Sequence, residues 1–272
     1  MNNYCRRSQF KTDIAKSTTT DDASLLRLMG AVSRGIDRGL HRIVYSQLAT
    51  RYYDGNGRTR LALFDDVQAV TTLKIATGAN PATFDTTLVA DTDYYLTPDN
   101  RDWEPATAIE GNPYSTSIGL PFTAGRRSVQ LVGRFGYSAL TEDTGQTVQN
   151  TTQIAAGGTA LTVVSTADID VGEVLVIGTE EVYVSGQTPT SLTIQRGVNG
   201  TTDAAHLNGV AIYRRRYPED IEEACRMQVA RFFREKRSSG QMGDSETGGY
   251  AFSSMWPAIR DLLAPHVRHV VG

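Results

Sequence analysis

The chain has 272 residues, a formal net charge of −3, and 40% hydrophobic and 21% charged residues, an ordinary globular balance that excludes wholesale disorder. That length supports a sizeable core in one elaborated domain or two. No run approaches the roughly 18 apolar residues of a membrane span, and the start, M-N-N-Y-C-R-R-S-Q-F-K, has no apolar h-region, so the sequence reads as cytosolic at synthesis with no membrane role.

Lys11, Lys16, Lys74 and Lys236 are the only lysines among 27 basic residues, which leaves 23 arginines. Arginine favours planar, two-pronged contacts to carboxylate or phosphate, although a GC-rich coding sequence produces the same bias. Cys5 and Cys225 are too few and too far apart along the chain to read as a disulfide framework or a metal site, and Cys225 reads as a small buried hydrophobe on a helix face.

After a short lead-in, Thr19 with Asp22 three residues on resembles a helix-start signature. In the helix that follows, Leu25, Met29, Val32, Ile36 and Leu40 fall within about 40° of one another at 100° per residue, and Arg27, Arg34, Arg38 and Arg42 fall opposite. Burying the five apolar side chains is worth on the order of 8 to 15 kcal/mol before entropy. Gly30, Gly35 and Gly39 weaken the helix intrinsically, so packing must hold it. The arginine stripe reads as a solvated face or as an interface.

From Val44 the texture turns to β-type runs. Asp54-Gly55 and Asn56-Gly57, between Y-Y and L-A-L-F-D-D-V, predict a hairpin. Further strands are expected at 93–97, ended by Pro98, and at 128–135, with 99–127 as loop. Residues 139–214 form a separate block without lysine, rich in Thr, Val and Gly. Its runs T-A-L-T-V-V, V-L-V-I-G-T-E-E-V-Y-V and S-L-T-I-Q, with a turn at Asn199-Gly200, read as a small all-β module able to fold by itself. A helix then opens at Y-P-E-D-I-E-E-A, where Pro218 suits a first helical position and Glu219 and Asp220 complement the dipole. Residues 238–250 read as a flexible linker by composition, and the whole stretch before Met255, about 17 residues, spans roughly 20 to 25 Å. The last short helix begins at Pro257 and carries Ile259, Leu262 and Leu263, with Trp256 just before it. Such a segment is too small to fold alone and must dock on its own domain or on a neighbour.

Catalytic material is poor. There is no Walker A sequence, no G-x-G-x-x-G, no G-x-S-x-G and no H-E-x-x-H, so the sequence gives no catalytic residue, no metal site and no cofactor. His206 reads as satisfying backbone groups at a turn. Asp65-Asp66, Asp168 with Asp170, and Glu180-Glu181 read as turn and edge residues, and strand alternation sends Glu180 and Glu181 to opposite faces.

In order along the chain, Y-C-R-R-S-Q-F-K, D-D-A-S-L-L-R-L-M-G-A-V-S-R-G-I-D-R, T-R-Y-Y-D-G-N-G, D-Y-Y-L-T-P-D-N, V-G-R-F-G-Y and Y-P-E-D-I-E-E-A resemble the head-tail connector (adaptor) proteins of long-tailed bacteriophages. The piece I-G-T-E-E-V-Y-V followed by R-G-V-N-G-T-T-D-A-A-H is similar to small β modules of phage virion proteins. The resemblance implies an α+β fold: a helical bundle with a β-sheet part, 1–138 and 215–254, interrupted by the all-β module 139–214 and followed by a C-terminal docking arm, 255–272. It further implies a structural virion protein, made in the host cytoplasm and placed in the neck between capsid and tail. There it would assemble as a ring, typically of twelve copies, join the portal protein to a tail or stopper protein and continue the channel for double-stranded DNA.

Four arginines on twelve copies would put on the order of fifty positive charges into a channel and hold DNA phosphate tightly. Arg27, Arg34, Arg38 and Arg42 are therefore assigned to the interface between copies. Trp256, Ile259, Leu262 and Leu263 are assigned to docking on the portal or a neighbour. The competing reading is a binding module in which the β block recognises a carbohydrate or another virion protein, but the block holds only Tyr183 and Tyr213 as aromatics for sugar stacking.

Overall fold

The computed structural model describes residues 2–15, 17–78, 83–102, 104–116, 121–238 and 257–268. It divides into two units, one made of Met1–Arg42 with Leu140–Gly272 and the other of Ile43–Ala139.

In the first unit, helix α1 (Arg7–Asp13) is followed by α2 (Asp22–Leu40), α3 (Glu219–Ser238) and α4 (Pro257–Leu263). All five apolar residues expected on the inner side of α2 are buried. They belong to the layer in which α2 lies on α3, and Phe10 of α1 meets Phe233 of α3 edge-on, with ring centroids 5.8 Å apart. The start of α2 differs from expectation. Asp21 is its N-cap and makes no side-chain capping bond. Asp22 instead neutralises Lys11, 2.9 Å away, and Arg7, 3.2 Å away. At the start of α3, the Pro218 carbonyl accepts the N–H groups of Ile221 and Glu222, and the Glu222 carboxylate reaches back to the Tyr217 N–H at 3.0 Å, which satisfies donors a helix start leaves open.

The same unit holds the block of strands β7 (Thr141–Thr147), β8 (Gln153–Ile154), β9 (Ala160–Thr162), β10 (Val174–Ile177), β11 (Glu180–Gln187), β12 (Ser191–Gln195), β13 (His206–Leu207) and β14 (Ala211–Arg215). Six of them form an antiparallel sheet in the order β7-β14-β10-β11-β12-β9, and β13 pairs with β8. The block has its own apolar cluster, including Val148, Leu161, Leu175, Ile177, Val184 and Ile212. It also touches the helices. Gly172, at φ +103°, lies so close to Asn3 and Leu26 that a Cβ there would meet both at 2.8 Å, a position only glycine fills without strain.

The second unit is built from β1 (Gln47–Gly55), β2 (Arg60–Ile75), β3 (Thr86–Leu88), β4 (Tyr94–Thr97), β5 (Ala106–Gly111) and β6 (Gly125–Phe135). Its sheet runs β1-β6-β2-β5-β4, with β3 also paired to β2. The expected hairpin is therefore not made: β6 lies between β1 and β2. The Asp54–Gly57 turn closes on residues 122–123 instead. The Gly57 N–H bonds the Phe122 carbonyl at 2.8 Å, and a Cβ on Gly55 would fall 1.9 Å from the Thr123 carbonyl oxygen. Strand β6 sits inside the sheet, between β1 and β2, with Val129, Leu131 and Phe135 on one face all buried, while Gly133 lets the Ala69 carbonyl of β2 approach. The stretch expected as loop holds β5, whose small Ala106 and Ala108 give a faint alternation although they are buried with Ile109.

The expected α+β fold, a helical bundle with a β-sheet part plus an inserted small all-β domain, is corrected: the regular structure of the described residues is mostly β-sheet. Among the described residues there are four α-helices against fourteen strands in three antiparallel sheets. Two of those helices are only seven residues long. A bundle needs several long amphipathic helices sharing a core, and this chain sustains helical periodicity over α2 and α3 alone.

Candidate assembly surface

The four arginines of the expected stripe part company. Arg27 and Arg38 are exposed on α2. They lie eleven residues apart, close to three turns, so on one side of the helix about 16 Å from each other. Arg34 serves its own chain: Nη2 donates to the Asn2 carbonyl at 2.9 Å, Nη1 lies 3.1 Å from the Asp37 carboxylate, and the guanidinium stacks 5.1 Å from the Tyr4 ring centroid. Asp37 also accepts the Tyr4 hydroxyl at 2.5 Å. Burial and that carboxylate push the Tyr4 phenol well above its ordinary pKa, so it stays a neutral donor. Arg42 is half-buried just past the helix.

Of the residues assigned to docking, Ile259 and Leu263 are fully buried, and α4 packs on α3 of the same unit. The Arg268 N–H bonds the Leu40 carbonyl at 2.9 Å, and His266 lies 3.4 Å from Asp220. Leu262 is half-buried. Trp256, the 239–256 part of the linker and arm, and His269 lie outside the described residues.

Most of the arginine chemistry goes inward. Glu180 opens β11 and is fully buried. Arg196 donates Nε to one of its carboxylate oxygens at 2.8 Å and Nη2 to the other at 2.7 Å. The backbone N–H groups of Gly197 and Ala204 donate at 2.9 and 3.1 Å, and His206 Nε2 lies 2.8 Å away. Burial acts to raise the Glu180 pKa, but these hydrogen bonds outweigh it and hold the carboxyl at about 2. His206 thus serves a carboxylate rather than the turn backbone expected for it. Arg196 donates onward to the carbonyls of Ala155 and Gly158 at 2.9 and 3.0 Å. The 196–206 loop is wound about one carboxylate.

Glu181 points away to a different set of partners, Arg215 and Asn199, and Asn199 in turn bonds Asn2 at 2.9 Å. The two glutamates do face opposite ways; Glu180 directly follows the Gly178-Thr179 turn between β10 and β11, as expected of a turn residue, yet both are buried. A third group ties the N-terminus to the block. Arg6 reaches Glu173 at 2.7 Å and Asp168 at 3.0 Å, Arg214 meets Asp168 at 2.5 Å, and the Ser8 N–H is capped by Asp170 at 2.8 Å. Desolvation raises the Glu173 pKa even beside two guanidinium groups. In each group the carboxylates are engaged by arginines and backbone donors, an arrangement suited to holding loops rather than moving protons. Among the described residues no cluster of three or more His, Cys, Asp or Glu has a metal-binding arrangement.

The second unit carries features the sequence reading passed over. A cleft of about 480 Å³ is lined by Asp91, Asp99, Asp102 and Glu104 with Arg101, beside Tyr94 and Tyr95, so acids outnumber the one arginine in its lining. Phe64 on β2 is 80% exposed and Tyr114 is 90% exposed. Phe64 was legible, since alternation in L-A-L-F sends Leu61 and Leu63 inward and Phe64 outward. The cleft was not, because its acids come together only in the folded 91–104 segment. Cys5 and Cys225, remote in sequence, meet in the first unit with their sulfurs 2.9 Å apart.

Comparison with protein-family models, with curated proteins and with solved structures gave no match.

Proposed function

We propose that this protein is a structural component of the virion neck of a long-tailed bacteriophage, assembling as a ring that joins the portal to the tail and continues the DNA channel. The reading rests on the ordered sequence pieces that resemble head-tail connectors and on the virion-type β block. It makes no use of a helical bundle. The observation on the molecule that supports it is the pair Arg27 and Arg38, exposed on one side of a helix whose other side is occupied by its own core.

A closed ring needs two different surfaces on each copy that complement one another. Exposed arginines on one unit and an acid-lined cleft on the other supply opposite charges for such a head-to-tail contact, which orients encounter and rejects wrong partners. Arg34 acts within the chain, and Arg42 is half-buried just past the helix end. Of the tail residues assigned to docking, Leu262 keeps that role in this reading, being half-buried while Ile259 and Leu263 are buried. The protein acts by assembly and not by catalysis.

Sedimentation of the purified chain mixed with the portal of the same phage tests this. A complex of the portal with a full ring is expected. A chain that sediments as a monomer beside unchanged portal, at every concentration, refutes the reading.

A further inference from the structure

Cys5 stands just before α1 and Cys225 lies in the middle of α3, 220 residues further along, yet their Sγ atoms are 2.9 Å apart. That is about 0.9 Å beyond the bond length of a disulfide, roughly 2.0 Å. The neighbours fix this approach from both sides. Tyr4 packs tilted against Tyr217 with ring centroids 4.5 Å apart, and Phe10 meets Phe233 at 5.8 Å, so the 4–10 segment is clamped along α3 and the residue leading into it, on both sides of the sulfurs. The Tyr4 N–H also bonds Ser33 Oγ at 3.0 Å, and that hydroxyl is 3.8 Å from the Cys225 sulfur. Both cysteines are buried, Cys5 at 7% and Cys225 at 0% exposure.

We propose that Cys5 and Cys225 are a disulfide-forming pair, oxidised by a small-molecule disulfide such as oxidised glutathione, which fastens the N-terminal segment covalently to α3. The thiolate of one cysteine attacks a glutathione sulfur, forming a mixed disulfide and releasing one glutathione as thiol. The second cysteine then attacks the protein sulfur of that mixed bond, closing Cys5–Cys225 and releasing the second glutathione. The two protein thiols lose two protons and two electrons, and the oxidant is reduced to two thiols. Burial pushes the Cys5 thiol well above its ordinary pKa, and the thiolate is the attacking species. The first step therefore waits for residues 2–6 to lift, or takes place while the chain folds, whereas the second is intramolecular and fast. The inference stands on this geometry alone and is independent of the ring reading.

The test uses the full chain, refolded from denaturant with oxidised glutathione and, separately, incubated with it when native. The refolded protein is expected to lose the mass of two hydrogens, to resist thiol alkylation after denaturation without reductant, and to melt about 5 to 15 °C higher than the reduced form. The native sample reaches the same product more slowly. Cys5→Ser and Cys225→Ser each abolish the mass loss and the melting shift, and both still fold. Two alkylatable thiols after oxidative refolding, or a stable adduct of two glutathiones, would overturn the proposal. So would a mass loss with no rise in melting temperature, because the bond would then not join the segment to α3 in the native arrangement.

Discussion

Arg196 and Glu180 form a two-pronged ion pair with no exposure on the carboxylate side, Nε to one oxygen at 2.8 Å and Nη2 to the other at 2.7 Å. The pair explains why the block reads E-E-V-Y-V in one strand and R-G-V-N-G-T-T-D-A-A-H after another: the glutamate is the hub, and the arginine, the Gly197 and Ala204 N–H groups and the histidine are its spokes.

Removing one partner of a buried pair leaves the other charge uncompensated, so Glu180→Ala is expected to cost about 3 to 5 kcal/mol. Denaturant unfolding followed by tryptophan-independent far-UV signal reads this directly. A loss under 1 kcal/mol would show that the loop is held by something else.

The same carboxyl predicts an acid dependence. Its ordinary value is 4.5 and its folded value is held at about 2. The folded pKa is depressed, so its contribution is complete above pH 4.5 and is lost as pH falls toward 2, about 3 kcal/mol in all. Comparing wild type with Glu180→Gln between pH 6 and pH 2 isolates it from the other carboxylates. The gap in stability between the two should narrow steadily below pH 4.5, and a constant gap would contradict the assignment.

On α2, Val32→Asp places a charge at a site 1% exposed and should prevent the first unit from folding. Arg34→Glu loses its contacts with the Asn2 carbonyl and Tyr4 and sets two carboxylates side by side at Asp37, so melting should fall by a few degrees, about 1 kcal/mol. Arg27→Glu and Arg38→Glu should leave melting unchanged, because both side chains are exposed. Thermal melts of the four variants check this ordering.

The opposite facing of Glu180 and Glu181, the five apolar residues of α2 and the Pro218 helix start were legible because each follows from local periodicity or backbone chemistry; the burial of the two glutamates was not, since their arginine partners lie elsewhere in the chain. The place of β6 between β1 and β2 was not. It depends on Gly133 admitting the Ala69 carbonyl of the neighbouring strand β2, which no local pattern records. Nor was the meeting of Arg6 with Asp168 and Glu173, at separations of 162 positions or more that carry no signal of proximity. Arg27, Arg34 and Arg38 of the expected stripe lie on α2 and Arg42 falls past its end, but periodicity does not separate Arg34, drawn in by Tyr4 and Asp37, from Arg27 and Arg38, left outside.

Gly133 gives a test in the second unit. A Cβ there would lie 2.2 Å from the Ala69 carbonyl oxygen, so Gly133→Ala must push β2 and β6 apart, at a cost of about 1 to 3 kcal/mol. Hydrogen exchange should show faster exchange in β2 and β6, with the first unit unchanged.

Truncation before Pro257 removes Ile259 and Leu263 from a buried site beside α3. Melting of the first unit should fall, by about 2 to 5 kcal/mol for the buried pair. Leu262→Asp, at a half-buried position, should leave melting nearly unchanged and weaken association with the portal. Melting and portal binding measured on both variants separate the two roles of the tail.

The most direct test of the assembly reading is native mass measurement of the purified wild-type chain and of Arg27→Glu/Arg38→Glu, each alone and with portal. The account predicts a closed oligomer on the portal for the wild type and only folded monomer for the double variant at the same concentration. A double variant that assembles on the portal as the wild type does would contradict it.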